Sequence, residues 1–155
     1  MSESAVLERL HALGLELPEP AKPVATYVPV RVSGGLAFVS GQVAFRDGAI
    51  LHPGHVGAEV SLEQGKEAAR TSALQLLSLL RAELGSLDRV KGIVQLQVFV
   101  SSAPGFTDQP KVANGASDLL VELMGEAGKH TRYAVGVPEL PLGAPVEVAV
   151  TARVT

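Results

Sequence analysis

The sequence predicts an α+β domain: a mixed β-sheet carrying two helices on one face, with a further helix ahead of it at the N-terminus. Three observations lead there. Several segments alternate apolar and polar residues with the period of two that a half-buried strand requires. Two longer segments space their apolar residues by three and four, which is the stripe of an amphipathic helix. Hairpin signals join the early strands, whereas helices separate the later ones, and that mixture of connections gives a sheet neither purely parallel nor purely antiparallel.

The first element is a helix from Ser4, its predicted N-cap, to about Leu13, with Val6, Leu7, Leu10 and Leu13 on one stripe and Gly14 as the stop. Pro18–Pro23 holds three prolines and reads as a linker. Residues 1–155 thus form one domain, with 1–22 a helix and linker and 23–155 the core. Ala25–Gly35 and Leu36–Phe45 read as a hairpin turning at Gly34-Gly35, and Asp47-Gly48 as a second hairpin leading to a short strand over Ala49–Leu51. His52–Gly57 is a Pro-Gly loop.

Ser61 opens the clearest helix, which runs to about Leu84 and is stopped by Gly85. Ala69, Ala73, Leu76, Leu77, Leu80 and Leu84 share its apolar face. Ile93–Val100 is a strand with Val94, Leu96, Val98 and Val100 on one parity and Gln95 and Gln97 on the other. A loop over Ser101–Pro110 leads to a helix covering about Val112–Met124. Arg132–Val137 is a strand, Pro138–Pro145 a Pro/Gly-rich connection, and Val146–Val154 the last strand. There Val146, Val148, Val150, Ala152 and Val154 share one face, and Glu147, Thr151 and Arg153 the other.

Composition narrows the function classes. Hydrophobic residues make up 46% of the 155 and charged residues only 19%, an apolar excess that points to surface buried between copies of the chain. A net charge of −3 lacks the positive field of a non-specific nucleic-acid binder, so no nucleic-acid partner is favoured. Cysteine is absent, which removes disulfide frameworks and thiol nucleophiles and fits a cytoplasmic location. No secretory pattern and no apolar run of about 18 residues appears, so no membrane association is expected.

Phosphate-binding GxxxxGK[ST] and dinucleotide GxGxxG patterns are missing, and no cofactor or metal is called for. His52 and His55 lie in a Pro-Gly loop without the helical spacing of a zinc motif, so they read as surface histidines of an exposed loop, and His11 and His130 stand alone. Val39-Ser40-Gly41-Gln42 runs from strand to strand, unlike a nucleophile elbow. Three polar positions remain. Arg132 heads an apolar strand, where a guanidinium at a sheet edge is either an exposed charge or a fork for a carboxylate. Glu147 interrupts a valine-rich strand, either as a solvent-facing residue paired with Arg153 or as a carboxylate that positions water. Ser40 ends a strand, as turn chemistry or as a hydrogen-bond donor to a ligand.

Together these segments resemble the Rid (reactive intermediate deaminase) family, also called YjgF-like and long labelled L-PSP endoribonuclease. The resemblance spans Tyr27–Val154, 128 of the 155 residues. It runs from Tyr27 through Ser40-Gly41-Gln42 and Val98-Phe99-Val100, and is strongest from Arg132 through Glu139-Leu140-Pro141 to Val146-Glu147-Val148. It implies a chorismate-mutase-like α+β fold and a homotrimer with sites in the clefts between subunits. It further implies hydrolysis of small 2-imino acids to 2-keto acids and ammonia without a cofactor. In that reading Arg132 binds the substrate carboxylate and Glu147 places or activates water, while Tyr27, Ser40 and, more loosely, Asn114 line the pocket. Tyr133-Ala134 after the arginine, the N-terminal helix and the Ser101–Pro110 loop depart from the best-studied deaminases and resemble a longer subgroup. The N-terminal helix lies outside that core, so it should be dispensable for assembly. A non-catalytic trimer that binds a small carboxylate, and an endoribonuclease, are the alternatives.

Overall fold

In the computed structural model, which describes residues 1–155, Ser2 rather than Ser4 caps the first helix, α1 (Glu3–Ala12). A capping oxygen must reach an N–H two or three residues onward. Ser2 Oγ accepts the Ala5 N–H at 3.2 Å, whereas Ser4 lies within the first turn and donates to Glu8 at 3.2 Å.

Only Val30–Ser33 of the predicted Ala25–Gly35 strand joins the sheet, as β1. Pro29 has no N–H for a ladder; its carbonyl accepts from Ser40 N at 2.8 Å, and pairing stops there. The Gly34-Gly35 turn leads into β2 (Leu36–Val43), and Asp47-Gly48 joins β3 (Phe45–Arg46) to β4 (Ala49–Ile50). Helix α2 (Leu62–Leu84) opens on the expected cap, with Ser61 Oγ accepting Gln64 N–H at 3.1 Å and Gln64 Oε1 accepting Ser61 N–H at 2.9 Å. Gly85 closes it at φ 80°, a conformation that favours glycine.

Strand β5 (Val90–Ser101) is longer than the expected Ile93–Val100, and α3 (Gln109–Met124) begins ahead of Val112 because Pro110 sits in its first turn, where no N–H is needed. β6 (Thr131–Val137) and β7 (Val146–Val154) complete a five-stranded sheet of order β1-β2-β7-β5-β6. β5 and β6 run parallel across the α3 crossover, and every other pair is antiparallel. The sheet is mixed, as expected.

Helices α2 and α3 cover one face, burying Leu76, Leu77, Leu80, Leu120 and Leu123 against Leu96, Val98, Val148 and Val150. α1 docks on α3 through Val6 and Leu10, and its Glu3 carboxylate accepts the Leu87 N–H at 2.6 Å beside Arg81 at 2.8 Å. No helix is long and apolar enough to cross a membrane.

One parity expectation fails. Ile93 is buried and Val94 exposed, because the β5–β7 register shifts between Ile93 and Gln95 and turns Val94 outward. It joins Phe38, Tyr133 and Val135, also exposed, and all but Val94 sit in register on the face opposite the helices. Gln75, buried in α2, clips the end of β2 to that helix: its Oε1 accepts Phe45 N–H and its Nε2 donates to Val43 O, each at 2.8 Å. Gln75→Leu strands both backbone groups, at about 1–3 kcal/mol for each one left unpaired. Denaturant unfolding should show this loss, and an unchanged midpoint would mean that water replaces the clip.

Candidate active site

β7 carries Glu147 to the uncovered face, level with Phe99 of β5 and Val43 of β2. Beside it β2 bulges between Val39 and Gln42, so that Gly41 comes to lie against the Glu147 side chain. A Cβ at position 41 would stand 3.0 Å from Glu147 Cδ and closer still to Oε1, so only glycine leaves the carboxylate its place. Glu147 makes no hydrogen bond or ion pair within the chain; Arg153, its possible partner on the same strand face, donates instead to Lys91 O at 3.4 Å. Half-burial without a compensating charge raises the Glu147 pKa above the ordinary carboxylate value.

Glu147 opens into a cavity of about 450 Å³ whose walls include Pro23, Tyr27, Phe45, Pro141 and Leu142. Tyr27 and Glu147 therefore share a cavity within one chain. Ser40 lies on the bulge, but its hydroxyl donates to Val28 O at 2.9 Å and so anchors the segment that carries Tyr27. The oxygen keeps a lone pair free to accept.

Arg132 is built differently. It sits on edge strand β6 level with Leu96, on the face that the helices cover. Its Nη1 donates to Asn114 Oδ1 at 2.8 Å and Ser117 Oγ at 3.1 Å, and its Nη2 to Pro110 O at 3.3 Å. Asn114 and Ser117 are three apart on α3 and so present neighbouring side chains to the guanidinium. Of the five guanidinium N–H groups three are satisfied, which leaves Nε–H and one N–H of Nη2 without partners. Those two groups can form a bidentate fork for a carboxylate.

Asn114 thus holds Arg132 rather than standing apart from it. Arg132 and Glu147, in contrast, project from opposite faces of the same sheet. One chain does not bring them together.

The two loop histidines do not converge on one point. His52 Nε2 donates to Glu67 at 2.9 Å, and His55 reaches Pro138 O at 3.0 Å and Glu139 at 3.1 Å. Both are partly buried, against the exposed-loop expectation, because His55 and the Gly54 N–H–Gly143 O bond of 2.9 Å tie this loop to the connection carrying Leu142. No group of three His, Asp or Glu side chains is placed to hold a metal ion. A further cavity, about 360 Å³ between α2 and α3, has walls of mixed charge and includes Asn114. His130 does not stand alone as its sequence position suggests: its ring bonds Ser117 Oγ at 2.9 Å and Gly128 O at 2.6 Å, and Ser117, whose only sequence signal is a hydroxyl three residues after Asn114, joins it to Arg132.

The family model described as "YjgF/chorismate_mutase-like, putative endoribonuclease" matches residues 7–154. Protein TCP17 of Trypanosoma cruzi is 47% identical over 149 residues, 96% of this chain and 93% of its own. A crystal structure from Shewanella oneidensis, described as a "putative endoribonuclease", superposes with a TM-score of 0.92 at 35% identity, covering 96% of this chain and 99% of its own. RidA from a Psychrobacter species shares the fold at a TM-score of 0.57 with 23% identity, covering 88% of this chain and 94% of its own.

Proposed function

The chain belongs to the YjgF/chorismate mutase-like family, and on that premise we propose that it hydrolyses small 2-imino acids to 2-keto acids and ammonia at sites shared between subunits of a homotrimer. The observation that carries this reading is Glu147, a half-buried carboxylate with no partner and a raised pKa at the wall of a largely apolar cavity. Such a group holds its proton to higher pH than an ordinary carboxylate does, which suits it to give and take a proton during hydrolysis. The free edge of Arg132 supplies the carboxylate fork.

The chemistry asks for little beyond placement. Water adds to the iminium carbon while Glu147 takes its proton, giving a carbinolamine. Glu147 returns that proton to nitrogen, the C–N bond breaks as the hydroxyl becomes the carbonyl, and the hydroxyl proton leaves on the ammonia as ammonium. Tyr27, Phe45 and Leu142 wall the cavity and limit access of bulk water.

Because Arg132 and Glu147 point to opposite faces, a substrate held by both requires them from different chains. The exposed Phe38, Tyr133 and Val135 on the uncovered face supply apolar surface for that contact. The test is release of ammonia or keto acid from 2-iminobutanoate generated in situ by a dehydratase. Acceleration supports the enzyme, binding of 2-oxobutanoate without turnover would leave a carboxylate-binding module, and RNA cleavage lost in Arg132→Ala would return the reading to a nuclease. Subunit mixing tests the shared site. Arg132→Ala and Glu147→Gln chains, each inactive alone, should regain about a quarter of wild-type activity when co-assembled at random, since that fraction of interfaces joins an intact Arg132 to an intact Glu147. No recovery in mixed trimers would place both residues in one chain's site.

A further inference from the structure

Behind Arg132 runs a chain of hydrogen bonds that the proposed chemistry does not itself use. His130 Nδ1 lies 2.6 Å from Gly128 O, and a carbonyl can only accept, so Nδ1 carries a proton. In the neutral ring Nε2 is then an acceptor, and it takes the Ser117 hydroxyl proton across 2.9 Å. That leaves the Ser117 oxygen as acceptor for Arg132 Nη1 at 3.1 Å. Every donor in the sequence Arg132, Ser117, His130, Gly128 has one acceptor, and the direction of each bond follows from the one before it.

We propose that Ser117 and His130 are positioning residues that fix the rotation of the Arg132 guanidinium, so that its Nε–H and the free Nη2–H face an incoming carboxylate. The role rests on the function proposed above. Nη1 has two protons, and Asn114 and Ser117 take both, so this end of the guanidinium cannot turn toward the ligand. A serine hydroxyl alone would not enforce this, because it can rotate to donate or accept as its neighbours allow. His130 removes that freedom by engaging the hydroxyl proton, and the Gly128 carbonyl sets the His130 tautomer in turn. The backbone holds the last link still: a Cβ at Gly128 would meet the Leu120 carbonyl carbon at 2.7 Å, so the 3-10 turn Gly125–Gly128 that follows α3 packs directly on that helix.

The chain predicts a spectroscopic signature that needs no ligand. In ¹⁵N-labelled protein the His130 ring, assigned by its loss in His130→Gln, should be in the tautomer protonated at Nδ1. Ser117→Ala should shift the Nε2 resonance. It should also weaken binding of 2-oxobutanoate roughly tenfold, as a misplaced clamp does, and raise KM more than it lowers kcat. Ser117→Thr keeps the hydroxyl and should restore most of the affinity, a rescue that a purely structural role would not give. Melting temperature and oligomeric state, measured on each variant, separate misfolding from misplacement. The Nε2–H tautomer in wild type, or wild-type affinity in folded Ser117→Ala, would overturn the proposal. Failure of the wild type to bind 2-oxobutanoate or to turn over any imino acid would instead fall on the proposed function, and the His130 spectrum would still decide the hydrogen-bond chain.

Discussion

Glu147→Gln is expected to lower kcat for imino-acid hydrolysis by about 10²–10⁴, the usual contribution of a positioned acid–base group, while the chain becomes more stable at neutral pH. The two effects share a cause. In the folded chain Glu147 is half-buried without a partner, so its pKa is raised and ionisation is disfavoured. A group with a raised folded-state pKa contributes stability below its unfolded value, and that contribution is lost as pH rises through the folded value. At neutral pH the carboxylate therefore works against the fold, and a neutral amide of similar shape relieves that. The activity of the wild type should rise with pH through the raised Glu147 pKa as the base form appears, and Glu147→Gln should lack that limb. Thermal unfolding and a pH–rate profile on both proteins check the pair of claims. A full-rate Glu147→Gln variant would remove the residue from the chemistry.

Arg132→Ala should remove a charge-assisted contact worth about 1.5–3 kcal/mol per hydrogen bond to substrate, which is roughly tenfold to a hundredfold in kcat/KM for each bond lost. Arg132→Lys should recover only part, because an ammonium keeps the charge without the fork. Arg153 is the control. It carries the same charge, lies exposed near the end of β7 and makes one long bond to Lys91 O, so Arg153→Ala should stay within about 0.5 kcal/mol. Steady-state kinetics on the three variants, with oligomeric state checked, decide the matter. Equal losses from the two alanine variants would mean that general charge attraction, not a clamp, holds the substrate.

The sequence by itself determined the order of the three helices and of the five strands of the main sheet, the helix boundaries set by Ser61 and Gly85, and the buried parity of β7, though it did not separate β3 from β2. It also determined the fifteen-residue spacing of Arg132 and Glu147 that carried the family resemblance, and the family model covers the same region. These are local properties: a period, a cap or a spacing is written into neighbouring residues and survives whatever packs against it.

Tertiary structure decided what depends on a second strand or helix. The outward turn of Val94 follows from the register shift between β5 and β7, which alternation within one strand cannot reveal. Pro29 ended a strand that looked continuous because the missing N–H matters only where a partner needs it. Ser40 spends its proton on Val28, and Asn114, Ser117 and His130 converge on one another and on Arg132, although up to eighteen residues separate them along the chain. The α3 crossover brings that group together, and the pleat of the sheet sends Arg132 and Glu147 to opposite faces. Hydrogen-bond partners are chosen by the geometry of the crossover and the register of paired strands, and neither quantity is carried by the residues that it joins.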